Sequence, residues 1–119
     1  MEYEKLALEV SAVRAGLVPV SPHVLQGESG VEHRFDLLFS DGGRRYAFDF
    51  YEKVDDIEVM KSYLKRFDTR TSVVIVCTRG EVTAEARSLA DSYGMKILTP
   101  EEAETYFTVP RAAPRRIFG

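Results

Sequence analysis

Asp36 and Asp49 are the residues with the most chemistry to offer. Each interrupts an apolar run: Phe35-Asp36-Leu37-Leu38-Phe39 and Tyr46-Ala47-Phe48-Asp49-Phe50-Tyr51. Aspartate is depleted in strands, and an unpaired buried carboxylate is costly. The segment between the runs, Ser40-Asp41-Gly42-Gly43-Arg44, predicts a hairpin over residues 33–52. Phe35, Leu37, Phe39, Tyr46, Phe48 and Phe50 then form the core face, and Asp36 and Asp49 share the other. A Gly42-Gly43 loop sets Asp36 opposite Asp49, whereas an Asp41-Gly42 loop sets it opposite Ala47 with Asp49 on the diagonal. In either register the carboxylates lie within roughly 5–8 Å. Like charges that close call for positive charge between them. Mg2+ or Mn2+, which take hard oxygen ligands, would supply it; so would an arginine for each acid, such as Arg34 or Arg45.

The elements that must hold this pair follow from periodicity. Residues 2–15 predict a helix with Leu6, Ala7, Val10, Val13 and Leu17 on its apolar face, stopped by Gly16. Leu17–Val20 is a candidate short strand, and residues 21–31 read as a loop. After the hairpin comes a helix over 55–67, capped by Asp55 or Asp56, with Ile57, Met60, Leu64 and Phe67 on one face. Ser72–Thr78 is a β-branched run that suits a strand buried on both faces. Thr83–Tyr93 is a helix with Ala86, Leu89 and Ala90 inward and Gly94 as its cap; Met95–Leu98 is a strand. Thr99-Pro100-Glu101-Glu102 opens the last helix. A helix between the hairpin and the next strand makes that pairing parallel. The expectation is an α/β fold in the order αβββαβαβα: a mixed sheet, antiparallel hairpin plus parallel strands, flanked by helices.

Composition narrows the class. The chain has 119 residues, 45% hydrophobic and 29% charged, which predicts one domain. The single cysteine, Cys77, allows no intrachain disulfide and no cysteine zinc cluster, and it reads as a small core residue. The longest apolar run, Val73–Cys77, is too short for a bilayer and the N-terminus has no apolar signal core, so a cytoplasmic protein is expected. Asparagine is absent and glutamine occurs once, which points weakly to a thermophilic source. The net charge of −3 is not that of a typical nucleic-acid binder. Yet Arg111, Arg115 and Arg116 sit in a stretch without acids, so a domain over 1–108 and a basic tail over 109–119 are expected. No phosphate-binding loop, nucleophile elbow or zincin motif is present.

The spacing of Phe35-Asp36, a turn and then Asp49 resembles the restriction-endonuclease-like, PD-(D/E)XK superfamily. Val73–Thr78, then Val82-Thr83-Ala84-Glu85-Ala86, Tyr93–Leu98 and Pro100-Glu101-Glu102-Ala103, is similar to the closing segment of Mrr-type endonucleases. The resemblance covers roughly residues 3–107. It implies a single nuclease domain of Mrr or RecB-like kind, cleaving DNA phosphodiester bonds with Mg2+ or Mn2+, with branched or damaged DNA among the expected substrates. Asp36, Asp49 and the carbonyl of Phe50 would bind the metal, which activates a water and offsets phosphate charge. Glu4, in Tyr3-Glu4-Lys5-Leu6, would complete the site, with Glu9 the second choice. The pattern departs at Tyr51, which stands where the superfamily has its lysine. Lys53, on the same strand face, and Lys61, on the following helix, are the candidate substitutes.

That departure keeps a second expectation open: a catalytically degenerate nuclease-fold subunit that binds DNA, RNA or a partner protein. Lys61, Lys65 and Arg66 form a basic strip on the second helix which, with Arg111, Arg115 and Arg116, could contact phosphate. Ile117 and Phe118 suggest docking in a homodimer or a larger nuclease complex. His23 and His33 read as local hydrogen-bonding residues. A fully parallel sheet of flavodoxin-like kind is opposed by the Asp-Gly-Gly turn, which adjacent parallel strands cannot share.

Overall fold

The computed structural model describes residues 2–107. Expectations for Arg111, Arg115, Arg116, Ile117, Phe118 and the tail boundary lie outside them. The elements are α1 (Glu2–Arg14), β1 (Val18–Pro19), β2 (Val24–Gln26), β3 (Glu32–Arg34), β4 (Leu37–Asp41), β5 (Arg44–Phe50), α2 (Asp56–Thr69), β6 (Val73–Cys77), α3 (Ala84–Tyr93), β7 (Lys96–Leu98) and α4 (Pro100–Tyr106).

A five-stranded mixed sheet runs β1-β4-β5-β6-β7. β1, β4 and β5 pair antiparallel; β5, β6 and β7 pair parallel through the α2 and α3 crossovers. This is the expected α/β class. Asp41 pairs with Arg44 and Leu37 with Phe48, so the turn is Gly42-Gly43. The regular ladder ends there: Asp36 lies just outside β4 and its N–H bonds the Phe48 carbonyl, so it does not continue the register to Asp49 as expected. Gly42 adopts φ 63°, a left-handed conformation that glycine enters without steric cost.

Both sheet faces are covered, which is why β6 is apolar throughout. Leu37, Phe39, Tyr46, Phe48, Ile75 and Cys77 pack under α1 and α4, against Leu8, Ala12, Ala103 and Phe107. Leu38, Ala47, Val74 and Val76 pack under α2 and α3, against Val59, Ala86 and Ala90. Caps fix the crossovers. Asp55 and Thr99 close capping boxes with Glu58 and Glu102, and Gly94 takes the left-handed position after α3. Cys77 is buried in the core, which pushes its thiol up to about 12. Among the described residues, no helix is long and apolar enough to cross a membrane.

Three expectations need correction. Residues 21–31 are not simply a loop: β2 and β3 form a separate antiparallel ribbon, so the first hairpin arm breaks at Phe35-Asp36. Phe35 therefore joins the core under α2, not the face of Leu37 and Phe39. The apolar faces of the first two helices point outward. Leu6, Val10 and Val13 are exposed, while Leu8, Ser11 and Ala12 face the sheet. On α2, Ile57, Met60, Leu64 and Phe67 are exposed, while Val59, Ser62 and Thr69 are buried. In each helix the inward face mixes one apolar residue, Leu8 or Val59, with small or polar ones, and the longer apolar stripe is left outside.

This inversion predicts contrasting costs in chemical denaturation. Phe48→Ala, fully buried, should cost about 3–5 kcal/mol. Leu64→Ala, at 53% exposure, should stay within about 0.5 kcal/mol. A large loss at Leu64 would contradict the outward face.

Candidate functional site

Asp49 sits near the end of β5, 2% exposed, on the sheet face beneath α2. Its partners come from that helix. Ser62 donates to Oδ2 at 2.7 Å, and Lys65 Nζ lies 2.9 Å from Oδ1. Lys65 also donates to the Arg34 carbonyl at 2.7 Å, and its ammonium lies 4.7 Å from the centroid of the Phe35 ring. Burial pushes the Asp49 carboxyl above its ordinary range; Lys65 and Ser62 pull it back, and the charge of Asp36 adds to the rise. Ser62 and Lys65 are three residues apart, so they share one helix face.

Asp36 lies where β4 begins, and its side chain is 36% exposed. Its Oδ2 accepts the Phe50 backbone N–H at 2.7 Å, and Lys5 Nζ lies 3.4 Å from Oδ1. Lys5 also stands 5.8 Å from the centroid of the Phe50 ring. Each aspartate thus has one lysine, Lys5 from α1 and Lys65 from α2, not the arginines considered from sequence. Arg34 reaches Lys65 through its carbonyl, and Arg45 donates to the Thr69 carbonyl. Asp36 opens into a cleft of about 400 Å³ with Lys5, Glu9, His23 and Arg34 on its walls.

The remaining candidates separate. Tyr51 is half-buried, and its hydroxyl bonds the Ser62 hydroxyl at 3.2 Å. Burial and the Asp49 charge push it up to about 12, so it stays neutral and carries no fixed positive charge. Lys53 is exposed in the turn after β5, beside Asp55 rather than Asp49. Lys61 is exposed on the outer side of α2. The cation at Asp49 is Lys65, which sequence reasoning assigned to an outer basic strip. Glu4 turns away from the pair: Arg79 Nε lies 3.0 Å from its carboxylate and also bridges to Glu101 on α4. Its own backbone N–H and then Arg79 hold the Glu4 carboxyl down at about 2. Glu9, the second choice, is the one on the cleft wall. His33 bonds Asp68 at 2.7 Å, the local role expected of it.

Among the described residues, no three of His, Cys, Asp and Glu converge as a metal cage. The two carboxylates do not share one sheet face as expected: Asp49 lies beneath α2, and the break at Phe35-Asp36 turns Asp36 toward α1. Their oxygens are nonetheless of the hard kind that Mg2+ takes, commonly from one or two carboxylates with water and substrate phosphate completing its shell.

No protein-family model matches the chain, and no curated protein matches it. A solved structure described as a protein of unknown function, AF1548, is similar, with a TM-score of 0.62 and 19% identity over 81% of this chain. The chain spans 57% of that protein's length. The likeness supports the fold alone.

Removing Lys65 tests the site's electrostatics. Lys65→Met leaves Asp49 as an uncompensated buried charge and should cost about 3–5 kcal/mol near neutral pH. The folded-state pKa of Asp49 is already raised, and the variant raises it further. Protonation in the folded state relieves the penalty, so the deficit should shrink as pH falls from 7 toward 5. Denaturant melts of wild type and variant across that range measure it; a deficit independent of pH would remove Asp49 as its source.

Proposed function

We propose that the chain is a Mg2+- or Mn2+-dependent nuclease of the restriction-endonuclease-like, PD-(D/E)XK kind, acting on DNA phosphodiesters in a cytoplasmic setting. The observation that carries the reading is the two aspartates at the β4–β5 pairing, each with its own lysine: Lys65 closes on Asp49 from α2 and Lys5 on Asp36 from α1. Lys65 takes the part that Tyr51 cannot. It reaches from the next helix what the superfamily reaches from the strand.

Asp36 and Asp49 would hold the ion, with the Phe50 carbonyl beside them as a further hard oxygen. When bound, the ion lowers the pKa of a water and offsets the charge that develops on phosphate. The chain's own residues do the rest. Lys65 and Ser62 fix the Asp49 carboxylate and offset part of the cost of its burial. The Phe50 N–H fixes Oδ2 of Asp36, and the Oδ1 edge opens to the cleft. Lys5 stands at that edge, where a phosphate oxygen would meet it. Glu9, on the cleft wall, is better placed than Glu4 to orient a water.

A second reading has one observation in its favour. Tyr51 is tied into the Ser62 network, and both oxygens of Asp49 already have partners. That suits a degenerate nuclease-fold subunit which binds DNA, RNA or a protein without turnover, as a homodimer or within a larger complex.

Cleavage of labelled duplex, single-stranded and four-way-junction DNA with Mg2+ or Mn2+ separates the two. On the nuclease reading, Asp36→Ala and Lys65→Met each lower the rate at least about a hundredfold, and EDTA abolishes it. Wild type that binds but never cuts would leave the binding subunit. Equal traces of cutting in wild type and Asp36→Ala would mean contamination and count against the nuclease.

A further inference from the structure

We propose that the groove between the C-terminal half of α2 and the end of α3 binds single-stranded DNA by stacking an unpaired base on Phe67. The inference deepens the nuclease reading, on which it rests for the choice of DNA as ligand. The groove has a volume of about 510 Å³ and lies apart from the Asp36 cleft. Its wall is an aromatic ladder. The Tyr93 and Tyr63 rings stack at 4.0 Å between centroids with planes 21° apart. Tyr63 and Phe67 continue the ladder at 6.3 Å and 23°. The ladder ends in the open, because Phe67 is 69% exposed. A further flat ring is the group that would extend it.

Two arginines give the groove its charge. Arg66 is held against the wall by its bond to the Tyr93 carbonyl, 3.4 Å away. Arg70 follows α2 in a left-handed conformation, φ 55°, the one such residue other than glycine among those described. Its side chain is 77% exposed and paired with Glu28 at 2.7 Å, an exchangeable surface contact that a phosphate could replace. Ser72 adds a hydroxyl to the lining. A π-face beside guanidinium groups fits a base and its phosphate. A duplex hides its base faces in the stack, so the ligand is the unpaired strand. α2 carries both sites: Lys65 turns to Asp49, while Arg66, Phe67 and Arg70 line the groove. An unpaired segment of a substrate held here stays beside the helix that builds the proposed cleavage site.

The test is fluorescence anisotropy on the full chain in EDTA, with a labelled oligothymidylate of about a dozen nucleotides and a matched duplex. The single strand should bind more tightly. Phe67→Ala should weaken it roughly five- to hundredfold, and Phe67→Trp should restore it. Arg70→Ala should lower affinity and reduce the salt slope by about one phosphate contact. Phe67 is exposed, so circular dichroism should show Phe67→Ala folded. Unchanged strand affinity in that folded variant would falsify the groove. So would equal losses for strand and duplex. Light scattering that shows a wild-type dimer dissociated by Phe67→Ala, with DNA affinity intact, would assign the face to a second copy instead. The cleavage assay keeps the two proposals apart. Cutting that persists with strand affinity untouched sinks only the groove. Strand affinity lost in Phe67→Ala, with no cutting by wild type, sinks only the nuclease.

Discussion

A carboxylate buried inside a sheet has to be neutralised there, because an uncompensated ion costs several kcal/mol. Asp49 is that carboxylate, and much of the architecture on its side follows from the requirement. The helix after β5 must bring a hydroxyl and a cation to one point, which Ser62 and Lys65 do from a single face. That face is consequently small and polar. The larger apolar residues of α2 then have nowhere to go but outward. Lys65 passes the constraint on by holding the Arg34 carbonyl, which fixes where the chain turns from β3 toward Asp36. One ion pair thus relates the two acids, the helix and the ribbon.

The parts legible in sequence are those governed by local chemistry. The hairpin turn over Ser40–Arg44, the caps at Asp55 and Thr99, the left-handed Gly94 and the buried β6 run each have a short-range cause. The helix faces were not legible by the same rule. Apolar spacing of three and four residues marks a stripe, but it does not say whether the core or a partner covers that stripe. On α1 and α2 the inward faces, Leu8 with Ser11 and Ala12 and Val59 with Ser62 and Thr69, are less apolar than the exposed stripes, so hydrophobicity points the wrong way.

That single inversion accounts for the misplaced lysine. With Ile57, Met60, Leu64 and Phe67 taken as inward, Lys65 belongs outside and Lys61 is no worse a choice. The polar stripe Ser62, Lys65 and Thr69 was the available signal, since a serine and a lysine at this spacing match a buried acid. Glu4 and Glu9 show a related limit. Both lie on α1, and only the fold shows that Arg79 captures the first while the second reaches the cleft. The break at Phe35-Asp36 is tertiary in origin too: His23 accepts the Phe35 N–H through its backbone carbonyl and draws the chain out of the sheet.

The β2–β3 ribbon is attached in an unusual way. Asp68 alone accepts the Ser29 N–H, the Ser29 hydroxyl and His33, while its own carbonyl accepts the Glu28 N–H. Gly27 leaves room for this, since a Cβ there would run into the Asp68 carboxylate. A two-stranded ribbon has little stability of its own. Its attachment is therefore borrowed largely from side chains at the end of α2, Asp68 and Lys65, with Leu25 packed against the core. The ribbon is a natural unit of local opening, separable from the five-stranded sheet. Because Arg34 at its end holds Lys65, such an opening would loosen the cation at Asp49 without unfolding the core, making the ribbon's breathing a part of the site's own electrostatics.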